Sequence, residues 1–260
     1  MPQSLPWPDA AEVLPISAVR ATVDRLTSLA HTHPEDATLI PGAAVSEEEL
    51  AADPPPALEQ LTDELGGIEV RGLRMLDLLV EDRTDVGPYT LLGDPTTFYP
   101  LYETPDAAVI LTIDETGAPG AVYGIGEDLA LQLAAPDLAT YLERFADALE
   151  ATLTTLAERG DDAGEKNEDR TDAAGQLLDQ HLFASVLGMR DLEQIPAVAL
   201  QDPAGSGIAD LPAGTVAVAD LRQAPVGARA DVMDAEVPGD PLAMQLVWRE
   251  GGRVLCVLGG

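Results

Sequence analysis

Carboxylates, three histidines and one cysteine are the groups in this 260-residue chain that could carry a reaction. His31 and His33 stand two apart just before Pro34, with Glu35 and Asp36 following. Residues two apart share a face of a strand, so the pair could begin a metal site. No further Cys or His stands nearby to complete the four N or S ligands of structural zinc, and the pair reads better as an exposed helix end. His181 lies beside the apolar stripe of a helical segment and reads as a half-buried packing residue. Cys256, the single cysteine, sits in the apolar run Val254-Leu255-Cys256-Val257. It cannot form an internal disulfide and reads as a buried structural thiol.

Phosphate cradles fail on residues. A P-loop needs Gly-Lys-Ser/Thr, and the only lysine stands in Glu165-Lys166-Asn167. The glycines from Gly120 to Gly126 lack dinucleotide spacing before a helix. Gly205-Ser206-Gly207 is too short for a nucleophile elbow. With 46 acidic residues, pairs such as Glu81-Asp82 and Glu127-Asp128 arise by chance. A catalytic acid needs an environment that composition does not show. No catalytic residue, metal ligand or cofactor site is therefore assigned, and the chain is expected not to be an enzyme.

The charge restricts the partners. Against 46 acids stand 14 Lys and Arg, for a formal charge of −32. Such a chain repels phosphate backbones and anionic lipid heads, so neither nucleic acid nor a membrane surface is expected as a partner, and a basic protein is favoured. Two compositional readings compete: solvation in high salt, and the codon usage of a GC-rich genome. The first ten residues lack a basic start and an apolar run, and no apolar stretch is long enough for a bilayer; both points predict a cytoplasmic location.

The elements that must position any site divide the chain into four parts. Residues 1–56 form a helical, Pro-rich N-terminal segment, with an apolar stripe through Val19, Val23, Leu26 and Leu29. Within it, Ser46 and Glu49 fit a capping box for a short helix. Residues 57–159 open with a helix over 57–65 stopped by Gly66-Gly67, and residues 73–80 suit helix or strand equally. Short β-runs follow over 89–92, 98–102, 107–113, 120–125 and 129–133. Asp114-Glu115-Thr116-Gly117 reads as a hairpin turn. Leu138, Tyr141, Leu142, Phe145, Leu149, Leu153 and Leu156 then mark a five-turn helix ended by Gly160. Residues 160–172 read as an acidic flexible linker. Residues 173–260 form a C-terminal α/β module: a helix through Leu177, Leu178 and Leu182, then strands over 197–200, 215–221, 246–248 and 253–258.

Part of this pattern resembles a known family. Residues 107–149 read strand, Asp-Glu-Thr-Gly turn, strand with Val122-Tyr123, a short strand, then Ala139-Thr140-Tyr141-Leu142 opening a helix. Upstream, Leu58-Glu59 and Glu64-Leu65-Gly66 are similar to an opening helix ending in Leu-Gly. Together they resemble the SMI1/KNR4, or SUKH, superfamily over about residues 57–159. The family's Leu-Pro after Leu-Gly is replaced by Gly67-Ile68, and its Asn-Gly-Gly turn appears only as Asp85-Val86-Gly87. The resemblance implies an α+β fold, a twisted, mainly antiparallel sheet flanked by helices, here with the C-terminal extension or second small module. Many bacterial members of that family look like immunity proteins that neutralise toxins, often nucleases. The expectation is therefore a non-enzymatic protein-binding module, of immunity type, whose partner is a basic toxin or nuclease. The partner surface is expected on loops and sheet face around Asp82, Asp85, Asp94, Tyr99, Tyr102 and Glu103, where tyrosines beside carboxylates suit a basic partner. The alternatives are a cytoplasmic scaffold or self-assembly protein and, third, a metal-dependent hydrolase. The oligomeric state is open.

Overall fold

The structure is a computed structural model that describes residues 7–8, 12–42, 50–51, 53–80, 91–104, 107–126, 128, 130–159, 167–187, 198–199, 208, 211–231, 243–250 and 254–259. The fold is α+β: helices accompany three sheets in which every strand pair is antiparallel. No helix among the described residues is long and apolar enough to cross a membrane.

The chain forms two compact units, each assembled from separate stretches. The first takes Val13–Glu81 and Ala139–Arg190; the second takes Leu5–Glu12, Asp82–Leu138 and Asp191–Gly260. This differs from the expected division at residues 57–159 and 173–260. Strand partners and core neighbours lie far apart in sequence, and burial follows space rather than chain order.

In the first unit, helix α1 (Arg20–Thr32) buries Val23, Leu26 and Ala30 at helical spacing. It packs on strand β1 (Ala37–Pro41). The one-turn helix α2 (Glu59–Thr62) leads into β2 (Leu65–Val70), which pairs with β1 and with β3 (Leu73–Asp77). The helix expected over 57–65 is thus only one turn after a 3₁₀ turn at Pro56–Leu58. Gly66 and Gly67 do not stop a helix; they lie inside β2. A Cβ on Gly67 would stand 2.4 Å from the Leu76 carbonyl oxygen, so only glycine lets the neighbouring strand come this close.

The long helix α3 (Leu138–Arg159) has the expected stripe: Leu142, Phe145, Leu149 and Leu153 are fully buried. Helix α4 (Asn167–Leu187) begins within the expected linker. Residues 167–172 are its first turns, and Thr171 Oγ1 there donates to the Arg71 carbonyl at 2.8 Å. Residues 160–166 and the capping box at Ser46 lie outside the described residues. Polar links join the helices: Arg25 pairs with Asp147 (2.6 Å) and Glu150 of α3, and Thr152 of α3 meets His181 of α4 at 3.1 Å.

The second unit is an antiparallel sandwich. Strands β4 (Phe98–Glu103), β5 (Ala108–Ile113), β6 (Pro119–Ile125) and β7 (Leu131–Ala135), with the short β10 (Arg229–Ala230), form a sheet ordered β10-β7-β6-β5-β4. Strands β8 (Val198–Ala199), β9 (Thr215–Asp220), β11 (Met244–Arg249) and β12 (Val254–Gly259) form the other, ordered β11-β12-β9-β8. One core joins them: Phe98, Ile110, Tyr123 and Leu133 pack with Ala217, Ala219, Leu246, Trp248 and Val257. Trp248 spans the two layers, with ring centroids 6.3 Å from Phe98 and 6.0 Å from Tyr123. Small Ala217 and Ala219 share this core with the large ring, a mix of sizes that lets a sandwich fill without voids. The period-2 pattern also shows in β9 and β11, where Val218 and Val247 turn to the outer face under Ile208 and Leu211. Cys256 lies in β12, between β9 and β11, opposite Val218 and Val247.

Candidate functional site

Of the six residues expected at a partner surface, Asp82 and Asp85 lie outside the described residues. Tyr99 is fully buried, edge-on to Trp7 with centroids 6.2 Å apart; it is a core residue, not a contact residue. Its aromatic area is spent on packing, which a β-run of Phe-Tyr-Pro-Leu-Tyr does not disclose. Tyr102 and Glu103 are half-buried at the end of β4, the edge strand of its sheet. Asp94 stands in the loop before β4, with a backbone φ of 21°, a left-handed value that Asp tolerates better than most residues.

Asp94 has company that the sequence reading did not assign. Its loop, the Asp114–Gly117 hairpin turn and the end of β11 form a cleft of about 350 Å³, walled by Ile113, Trp248 and Pro8 and rimmed by Asp94, Asp114, Glu115 and Arg249. Each carboxylate is fixed by one oxygen. Asp94 Oδ1 accepts from the Thr96 hydroxyl at 2.6 Å. Asp114 Oδ1 accepts from the Thr116 amide, the Thr116 hydroxyl and the Ala118 amide at 2.8, 2.7 and 2.9 Å. Glu115 Oε1 accepts from the Glu250 amide at 3.0 Å. Arg249 donates to the Trp248 carbonyl at 2.9 Å and stays 3.7 Å from Asp94 Oδ2, beyond hydrogen-bond reach.

Beside the cleft, Arg222 pairs with Asp220 at 2.6 Å and with Glu250. The hydrogen bond from Arg222 holds the Asp220 carboxyl below its usual range, partly opposed by burial. This end of the sandwich therefore gathers five carboxylates and two arginines. Positions 94, 114, 220 and 250 are brought together by strand order, so no local spacing marks them; only the turn signal at 114–117 was visible.

The first unit holds a second cleft, of about 520 Å³, lined by His33, Glu35, Asp36, Thr38, Arg71 and Arg170 among others. Arg71 and Gly72, with φ of 49° and 83°, make the two-residue turn between β2 and β3. Asp36 anchors that turn: its carbonyl accepts the Arg71 amide at 2.8 Å, and Oδ1 accepts Arg71 Nε at 2.7 Å. Asp36 is thus engaged by an arginine rather than presented to a metal. His31 closes α1 as an exposed residue, and His33 caps the helix. No group of three or more His, Cys, Asp or Glu side chains that could hold a metal occurs among the described residues. His181 is half-buried against Thr152, in the packing role expected of it.

Comparison of the chain with protein-family models, with curated proteins and with solved structures yields no match.

Proposed function

We propose that this chain is a non-enzymatic protein-binding module that captures a basic protein, in the manner of an immunity protein neutralising a toxin or nuclease. The observation that carries the reading is the concentration of fixed carboxylates at one end of the sandwich in a chain of formal charge −32. Carboxylates on short turns, each tethered through one oxygen, keep their charge at the surface at little conformational cost. A field of this sign speeds encounter with a cationic partner and rejects acidic ones. It is also opposite in sign to the positive charge that a nuclease cleft carries to hold phosphate.

The test is capture of partners from native cell lysate on the immobilised full chain, washed at low and then high salt and read by mass spectrometry. A basic toxin-like or nuclease protein released by salt is the expected result. Recovery of the chain alone, or of a large housekeeping complex, overturns the reading in favour of self-assembly or scaffolding.

A further inference from the structure

His181 of α4 and Thr152 of α3 meet between their helices, and the hydrogen on the bond that joins them can be assigned. Thr152 is fully buried, and its hydroxyl donates to the Ala148 carbonyl at 2.8 Å. Thr27 and Thr32 of α1 and Thr154 and Thr155 of α3 make the same bond to the carbonyl one turn back. A hydroxyl has one hydrogen, and that of Thr152 is spent on Ala148. His181 Nδ1, 3.1 Å from Thr152 Oγ1, must therefore carry a hydrogen and donate it. In the neutral ring this leaves the lone pair on Nε2.

We propose that His181 is a bolt between α4 and α3 that survives its own protonation, so that α4 stays docked in acid. A histidine between packed elements often serves as an acid-release switch, because a ring nitrogen that accepts a hydrogen bond loses that capacity when it charges. Here the added proton goes to Nε2, and the Nδ1–H bond to Thr152 is common to the neutral and the charged ring. A second titratable group on α4 acts in the same direction. Asp179 is half-buried, and burial pushes its carboxyl up to about 6, so acid neutralises it in place. α4 packs on β3 and β2, whose charged groups are Arg74, Asp77 and Glu69; Arg74 pairs with Asp77 at 3.1 Å and stands 3.6 Å from Glu69. On α3, Asp147 and Glu150 pair with Arg25, while Glu158 and Arg159 are exposed at the helix end. These charges have partners or solvent of their own, and the bolt does not depend on them.

The ring nitrogens are read in the full ¹⁵N-labelled chain by long-range proton–nitrogen correlation, with His181→Gln identifying the signal among the three histidines. At about pH 8 the expected pattern is a hydrogen on Nδ1 and a lone pair on Nε2, the reverse of the form that free histidine favours. On titration to about pH 5, the range across which an imidazole charges, Nε2 should gain the proton while Nδ1 keeps its signature. Amide protection of α4, corrected for intrinsic exchange, should not fall over that range. Thr152→Val removes the acceptor at similar shape; His181 should revert to the Nε2–H form and α4 protection should drop about fivefold, whereas Thr152→Ser keeps both. An Nε2–H ring at pH 8, or loss of α4 protection as His181 charges, overturns the proposal. Both are read on the parent chain, so the test stands even where the valine variant does not fold.

Discussion

Asp179 shows what one residue can do to this fold. It sits half-buried in α4, and burial pushes its carboxyl up to about 6. A carboxyl whose folded pKa exceeds its unfolded value binds its proton more tightly when folded, so its contribution to stability is full in acid and is lost as pH rises from about 4 through about 6. Asp179→Asn removes that loss. The variant should be more stable than the parent at pH 7.5 by roughly 1–2 kcal/mol, after discount for partial exposure, and equal to it near pH 4. Denaturant midpoints at the two pH values check this; an equal gain at both would assign the effect to something other than ionisation. The partner surface was only partly legible at this scale. Asp94 is where an exposed acid was expected, but Tyr99 is not, because an aromatic residue in a β-run has two faces to choose between and pattern alone does not say which one is covered.

At the scale of elements, α3 was the most legible because seven apolar residues recur at helical spacing and Leu142, Phe145, Leu149 and Leu153 are all buried. Phe145→Ala should cost about 3–5 kcal/mol, measured by chemical denaturation. Strand β2 was the least legible. Gly66-Gly67 carries the local signature of a helix stop, yet the close approach of β3 puts both glycines inside a strand. Gly67→Ala should destabilise by about 2 kcal/mol or more, since the obstructing atom is backbone and cannot move without breaking the β2–β3 ladder. A denaturation midpoint within error of the parent would mean that the two strands are farther apart than described. The start of α4 was misread for a related reason. Polar residues at its N-terminus look like linker, but the Thr171–Arg71 bond ties that turn down as helix.

The whole molecule decides what counts as a domain. Residues 57–159 read from the sequence as one domain, yet β4 to β7 share their core with Ala217, Leu246, Trp248 and Val257 from the last fifty residues. A fragment of residues 57–159 alone would expose the inner face of the five-stranded sheet. It should fail to fold cooperatively, giving a collapsed amide spectrum and no sharp thermal transition, where the full chain gives both; a well-dispersed fragment spectrum would restore the continuous domain. Charge, the absence of P-loop and nucleophile-elbow patterns, the amphipathic helices, most strand positions and the α+β class were set by the sequence itself, because they depend on residue type and on periods of two and 3.6. The interleaving of the two units, the burial of Tyr99, the engagement of Asp36 by Arg71 and the meeting of Asp94 with Asp114, Glu115 and Trp248 were decided only by the tertiary structure. They depend on contacts between residues far apart in sequence, and such contacts are chosen by which apolar faces cover one another rather than by any local pattern.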